Sequence, residues 1–307
     1  PLDVLLEPSI KLARRGHKLS PRAALSLSTQ WPKLKGDPNA RAIFGKAKGK
    51  EPLEPGDRVV QRELASTLDA IAKSGDEGFY RGKVAEAIDA AMKKNGGLVT
   101  AADLAAYQAK VREPLTFSYR GFTVQTMPPP SMGGVAIAET LVLLERVGAH
   151  EAPRDSARAY HLFVESAKRA YADRRTVGAD PDFYGDRVKP GATLALLTGS
   201  HVLSRPIDAQ KATPAATLAP ELVAAPKESP ETTHLSVVDA DGNAVSCTVT
   251  LSASFGAKVI VPGTGVLLSN ALGAFSPDGP NDAAPGKRMA SSMSPTIVSR
   301  GDKTLIV

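Results

Sequence analysis

At residue 232 the hydrophobic pattern changes period, and that change constrains the fold more than any other feature of the chain. Beyond it apolar and polar residues alternate, as on half-buried strands. His234–Val238, the turn Asp239-Ala240-Asp241-Gly242 and Ala244–Leu251 read as a hairpin. Val259–Val261 and Val266–Leu268 predict a further strand pair around Pro262-Gly263-Thr264-Gly265. Thr296–Val298 and Leu305–Val307 predict two more strands. The first 175 residues are mostly helical in period: Ser9–Arg15, Val60–Lys73, Lys83–Lys94 and Ala101–Ala109. One hairpin interrupts them, Leu115–Tyr119 with Phe122–Thr126. A long apolar helix then runs from Ser131-Met132-Gly133-Gly134 to Val147, and another over Ser156–Arg175. The second stacks Tyr160, Phe163, Val164, Ala167 and Tyr171 on one side. Pro128–Pro130 and the glycines after them could cradle an anion at a helix start, or form only a tight turn. Between the two regimes, residues 176–231 carry Pro181, Pro190, Pro206, Pro214, Pro220, Pro226 and Pro230. That punctuation predicts a surface or linker segment suited to a boundary or a cleavage site.

Composition excludes several classes. The 307 residues are 42% hydrophobic and 23% charged, the balance of a globular protein with ample core. No run of 18 apolar residues could form a transmembrane helix. The net charge of +6 invites a nucleic-acid reading. Residues 232–307 are balanced, however, and the excess is scattered over residues 1–231 without a basic stripe interleaved with aromatics. Cys247 is the sole cysteine, so internal disulfides, CxxC pairs and cysteine-based zinc sites are ruled out. The five histidines, His17, His150, His161, His201 and His234, show no metal-ligand spacing. Neither a metal nor an organic cofactor is expected. Walker loops, GxGxxG and GxSxG are absent too, which leaves hydroxyl chemistry at Thr or Ser as the best remaining option.

Glu231-Thr232-Thr233-His234 sits where the proline-punctuated segment meets the hairpin. A Thr that begins a chain has its own α-amine beside its hydroxyl. That amine titrates at about 8, so nucleophile and general base come from one residue. On position alone, Thr232 and Thr233 read rather as β-branched residues opening a strand.

Thr232-Thr-His-Leu-Ser-Val-Val-Asp-Ala-Asp-Gly-Asn-Ala-Val245 closely resembles the start of the small subunit of γ-glutamyltransferases (γ-glutamyltranspeptidases), which are N-terminal-nucleophile hydrolases. Asn95–Thr100 through Asp103–Tyr107, Tyr119–Phe122, Met127–Gly134, Ala170–Arg174 and Ser291–Val298 resemble the same family in the same order. The resemblance implies an α+β fold, an αββα sandwich of two stacked sheets between helical layers. It also implies that residues 1–231 and 232–307 are parts of a large and a small subunit within that one domain. Self-cleavage between Glu231 and Thr232 is implied, with both products staying together as a heterodimer. The mature Thr232 would then take the acyl group from a γ-glutamyl amide such as glutathione and pass it to water or an amino acid. By the same resemblance Thr250 holds the nucleophile's hydroxyl, and Ser291 and Ser292 bind the α-carboxylate of the glutamyl group.

This sequence departs from the family pattern at three positions. Ser252 stands where the family has a substrate-contacting Asn. Ala271 and Ala274 stand where acidic or amide residues bind the α-ammonium ahead of a Phe, here Phe275. An alanine supplies no side-chain acceptor, and an unpaired desolvated ammonium costs several kcal/mol. A glutaryl-type (cephalosporin) acylase, which has no α-amine to recognise, is therefore a rival reading, as is a non-catalytic scaffold. The resemblance also implies an arginine upstream of Pro1 and an oxyanion-hole Gly-Gly pair beyond Val307, so the chain is expected to be truncated at both ends. Family resemblance further implies a periplasmic or secreted location.

Overall fold

The computed structural model describes residues 1–185, 188–189, 191–218 and 232–307. They divide into two compact units, Pro1–Lys110 with Leu251–Asn270, and Val111–Thr250 with Ala271–Val307. No helix among the described residues is long and apolar enough to cross a membrane.

The first unit is helical. Helix α1 spans Leu2–Arg15. It starts seven residues earlier than the sequence suggests and keeps Pro8 inside. A proline removes one N–H from the ladder. Leu6, Ile10 and Ala13 nevertheless fall at helical spacing, and Ile10 and Ala13 are buried. Helices α2 (Pro21–Leu34) and α3 (Pro38–Phe44) lie in a stretch where sequence reading identified no element. Both begin with a side-chain cap and a proline in the first turn: Ser20 accepts from Ala23 N at 3.2 Å, and Asp37 from Ala40 N at 2.7 Å. Leu27, Trp31, Leu34 and Phe44 form their core with Val59 and Ile260. Helix α4 is Arg62–Ser74, α5 Gly82–Asn95 and α6 Ala101–Ala106. The capping box at Thr100 and Asp103 is present, with Asp103 Oδ2 accepting from Thr100 N at 2.8 Å.

Residues 251–270 are stitched into this unit. Thr67 Oγ1 donates to Thr264 O at 2.8 Å, and Asn39 Nδ2 to Ile260 O at 3.0 Å. The expected strand pair here shrinks to one bridge, Ile260 with Leu267. The turn between them is tied to α4 instead, with Gly263 N donating to Glu63 Oε2 at 3.1 Å.

The second unit holds the sheet. Strands β1 (Leu115–Tyr119) and β2 (Phe122–Thr126) form the expected hairpin. After them come helices α7 (Met132–Arg146) and α8 (Ala157–Asp173), with a short helix α9 at Gly199–Leu203. Strands β3 (Thr232–Val238) and β4 (Ala244–Thr250) pair with each other. Strands β5 (Thr296–Arg300) and β6 (Lys303–Ile306) complete an antiparallel sheet of order β6-β5-β2-β1. Leu115, Val135, Ala138 and Val177 are central to its core.

Helix α8 is turned opposite to a simple apolar reading. Tyr160, Phe163, Val164 and Tyr171 are exposed. Its buried face carries Leu162, Glu165, Ser166, Arg169 and Asp173. The charges are admitted because they are paired. Glu165 Oε2 accepts from Arg169 Nη1 at 2.9 Å, and Oε1 accepts from Lys168 Nζ at 2.6 Å and from Thr213 N at 3.2 Å. Burial pushes the Glu165 carboxyl up, but the bonds from Lys168, Arg169 and Thr213 outweigh it and hold it at about 2. On α7, burial and the adjacent Asp173 carboxylate push the Glu139 carboxyl above the ordinary carboxylate range.

Candidate active site

The β3–β4 register sets Thr232 directly opposite Thr250, His234 opposite Thr248 and Ser236 opposite Ser246. Period 2 puts these six side chains on one face. They are hydrogen-bonded across it. Thr232 Oγ1 donates to Thr250 Oγ1 at 3.3 Å. His234 Nδ1 lies 2.7 Å from Thr248 Oγ1, and its Nε2 is 3.3 Å from Ser236 Oγ. The other face is apolar, with Leu235, Val237, Val245 and Val249 exposed. Thr232 opens the strand and is itself exposed, while Thr250 is half-buried. Glu231 lies outside the described residues.

The serine pair is positioned by α7. Ser291 N donates to Pro130 O at 3.0 Å, and Met132 N donates back to Ser291 O at 2.7 Å. Ser131 caps the helix, its Oγ accepting from Gly133 N at 3.2 Å. The amides of Met132 and Gly133 are thus taken up by the protein itself, and the Pro and Gly stretch serves as a seat for the 291–293 loop. Close approach requires glycine here: a Cβ on Gly133 would lie 2.3 Å from Ser292 O. Ser291 Oγ accepts from Met293 N at 3.1 Å. Ser292 is exposed.

Asn281, which no sequence motif marks, ties the 3-10 turn at Ala271–Ala274 to the segment that leads into the serines. It is 9% exposed. Its Nδ2 donates to Ala274 O at 2.9 Å, and its Oδ1 accepts from Ala290 N at 2.7 Å. Asp180, fully buried, adds a second brace by accepting from Arg288 N at 2.9 Å and from Arg112 Nη2 at 3.0 Å. Neither residue sits in a motif, and only the fold makes them neighbours of the serine loop.

The hairpin and the serine loop are joined as well. Thr296, at the start of the strand that continues from the serines, donates its N–H to Ser246 Oγ at 3.1 Å. Ser252 belongs to the other unit and holds a left-handed backbone at φ 75°. Ala271 and Ala274 bound a short 3-10 turn in the second unit. The arrangement offers a strand-end hydroxyl hydrogen-bonded to a second hydroxyl, and a separately braced loop with two serine side chains.

A family model described as gamma-glutamyltranspeptidase matches residues 1–307. The chain belongs to the gamma-glutamyltranspeptidase family. It is 42% identical over 321 residues to a glutathione hydrolase proenzyme of Escherichia coli (strain K12), covering 100% of this chain and 54% of that protein. It is also 38% identical over 300 residues to an acylase ACY 1 proenzyme of Pseudomonas sp. (strain SE83), covering 97% of this chain and 52% of that one. Among solved structures, a cephalosporin acylase from Bacillus halodurans superposes with a TM-score of 0.81 at 27% identity, over 99% of this chain and 55% of that chain. The chain thus spans about half the length of the relatives it matches. Its fold is the α+β fold of this family, shared with the cephalosporin acylase, as its sequence suggested.

Proposed function

We propose that this chain is the nucleophile-bearing part of an autoprocessing threonine amidohydrolase and acyltransferase that acts on γ-glutamyl amides such as glutathione. The observation that carries this is the 3.3 Å hydrogen bond between Thr232 Oγ1 and Thr250 Oγ1 at the head of β3. In the precursor, Thr232 Oγ attacks the Glu231 carbonyl carbon, and the peptide bond shifts from nitrogen to oxygen. Water then hydrolyses the resulting ester, which leaves a carboxylate on Glu231 and a free amine on Thr232. In the mature form that amine takes the Oγ proton as Oγ attacks the substrate amide, and the proton then goes to the leaving amine. Thr250 orients the nucleophile. The acyl ester on Thr232 is released to water or to an amino acid. Ser291 and Ser292 bind the substrate's α-carboxylate with hydroxyl donors, and Ser252 contacts the substrate.

The two products, residues 1–231 and those from 232 onward, stay together, because β2 from one pairs with β5 from the other. Export to the periplasm or beyond is part of the proposal. The test is a denaturing gel with N-terminal sequencing of the purified full-length protein. Two pieces are expected, the second beginning Thr-Thr-His-Leu, and a single uncut piece from Thr232→Ala. An active preparation that is never cut before Thr232 overturns the reading.

Ala271 and Ala274 favour a second reading, a glutaryl-type acylase. The likeness to an acylase ACY 1 proenzyme and to a cephalosporin acylase lends it weight. Hydrolysis of γ-glutamyl and glutaryl anilides separates the two: a strong γ-glutamyl preference removes the acylase, and the reverse removes the transferase.

A further inference from the structure

We propose that Glu139, Asp173 and His201 form a binding site for a zinc-like divalent cation in the second unit. Three separate elements bring them together. Glu139 comes from the middle of α7, Asp173 from the last turn of α8 and His201 from α9. One ligand atom from each lies within 4.8 Å of the other two. His201 Nε2 is 3.2 Å from Glu139 Oε1 and 2.9 Å from Asp173 Oδ2. A tetrahedral ion with bonds of about 2.0–2.2 Å needs its ligand atoms about 3.3–3.6 Å apart, so it would lengthen the two His201 contacts by only a few tenths of an ångström.

The surroundings favour a cation. Glu139 and Asp173 are 0% and 4% exposed at their side chains, and two buried carboxylates side by side repel. Arg205 offsets one of them by gripping both oxygens of Asp173. That grip fixes the carboxylate while leaving lone pairs toward His201, as supporting hydrogen bonds do around metal ligands. For Glu139, by contrast, no donor among the described residues reaches the buried Oε2. A cation between the three would supply that missing partner. One imidazole with two carboxylates suits zinc and its first-row neighbours better than Mg²⁺ or Ca²⁺, which prefer oxygen alone. His201 is 22% exposed and gives the ion a way in. Three protein ligands leave a fourth position for water.

The cluster is separate from the threonine and serine chemistry above, so its fate does not depend on that reading. The experiment is calorimetric titration of tag-free, EDTA-dialysed full-length protein with Zn²⁺, and in parallel with Mg²⁺ and Ca²⁺. It is repeated with Glu139→Gln and with His201→Gln, whose folding is checked by circular dichroism. One Zn²⁺ per chain is expected, little response to Mg²⁺ or Ca²⁺, and about 10–100-fold weaker zinc binding in each variant. His201 is partly exposed, so His201→Gln remains informative if Glu139→Gln misfolds. Absence of zinc binding to the wild type, or equal binding in wild type and His201→Gln, overturns the site.

Discussion

At the scale of single residues, the design turns on which hydroxyls have partners. Thr250 faces Thr232 across a strand pair, so Thr250→Val removes the acceptor while keeping the β-branched shape. We expect kcat to fall at least about tenfold, or roughly 1.4 kcal/mol in the barrier, with KM little changed. Steady-state kinetics on a γ-glutamyl anilide measures this. The base in the proposed mechanism is the α-amine of the mature Thr232, which works only when neutral. kcat/KM should therefore rise as pH climbs through about 8 and then level off. A rise centred near the ordinary histidine range would point to a different base. Gly133→Ala would push a methyl into the Ser292 carbonyl and displace the serine loop. KM should rise more than kcat falls, while Thr232 still cleaves its chain. Thr232, Thr250, Ser291 and Ser292 were singled out by the family resemblance of their segments, since a strand-opening Thr or a pair of turn serines carries no distinguishing local pattern. Asn281 and Asp180 were not, since an isolated Asn or Asp in a loop carries no periodic signal. His234 was visible only as one of five dispersed histidines, although its i, i+2 spacing from Thr232 on a strand implies a shared face.

At the scale of elements, α8 teaches the most. Its aromatic residues gather on one side, yet the packed side carries Glu165 and Arg169. Periodicity detects amphipathicity but cannot tell a paired buried charge from a solvated one. Glu165→Gln should cost roughly 3–5 kcal/mol, since Arg169 would remain buried without its counter-charge. Urea unfolding at neutral pH reads this directly. The same ion pair fixes a sign with pH. Because Glu165 is held at about 2, its contribution is complete above the ordinary carboxylate value of about 4.3 and drains away as pH falls toward 2. The acid limb of the stability curve should be shallower in Glu165→Gln. Helices α2 and α3 went unread for a different reason. Their start signals, Ser20-Pro21 and Asp37-Pro38, were present, but each proline can equally punctuate a loop. The hairpin of β1 and β2 was legible to the residue because Arg120 and Gly121 mark its turn with positive φ.

At the scale of the molecule, sequence order and spatial order differ. Residues 251–270 leave the second unit to pack in the first, and the chain then returns to build β5 and β6. No local pattern announces such an excursion, because it is decided by long-range contacts such as those of Thr67 with Thr264. A cut before Thr232 therefore severs the chain without separating its cores, for both units keep segments from each side. Size-exclusion chromatography of the processed protein should give one species, which yields two components only in denaturant. The pairing of β2 with β5 has a further consequence, for assembly. While the chain is continuous, those strands find each other at the high effective concentration of an intramolecular encounter. After scission the same pairing becomes a second-order reaction. Denaturation of the uncut form should then reverse at any dilution, whereas recovery of the cut form should fall away as the protein is diluted.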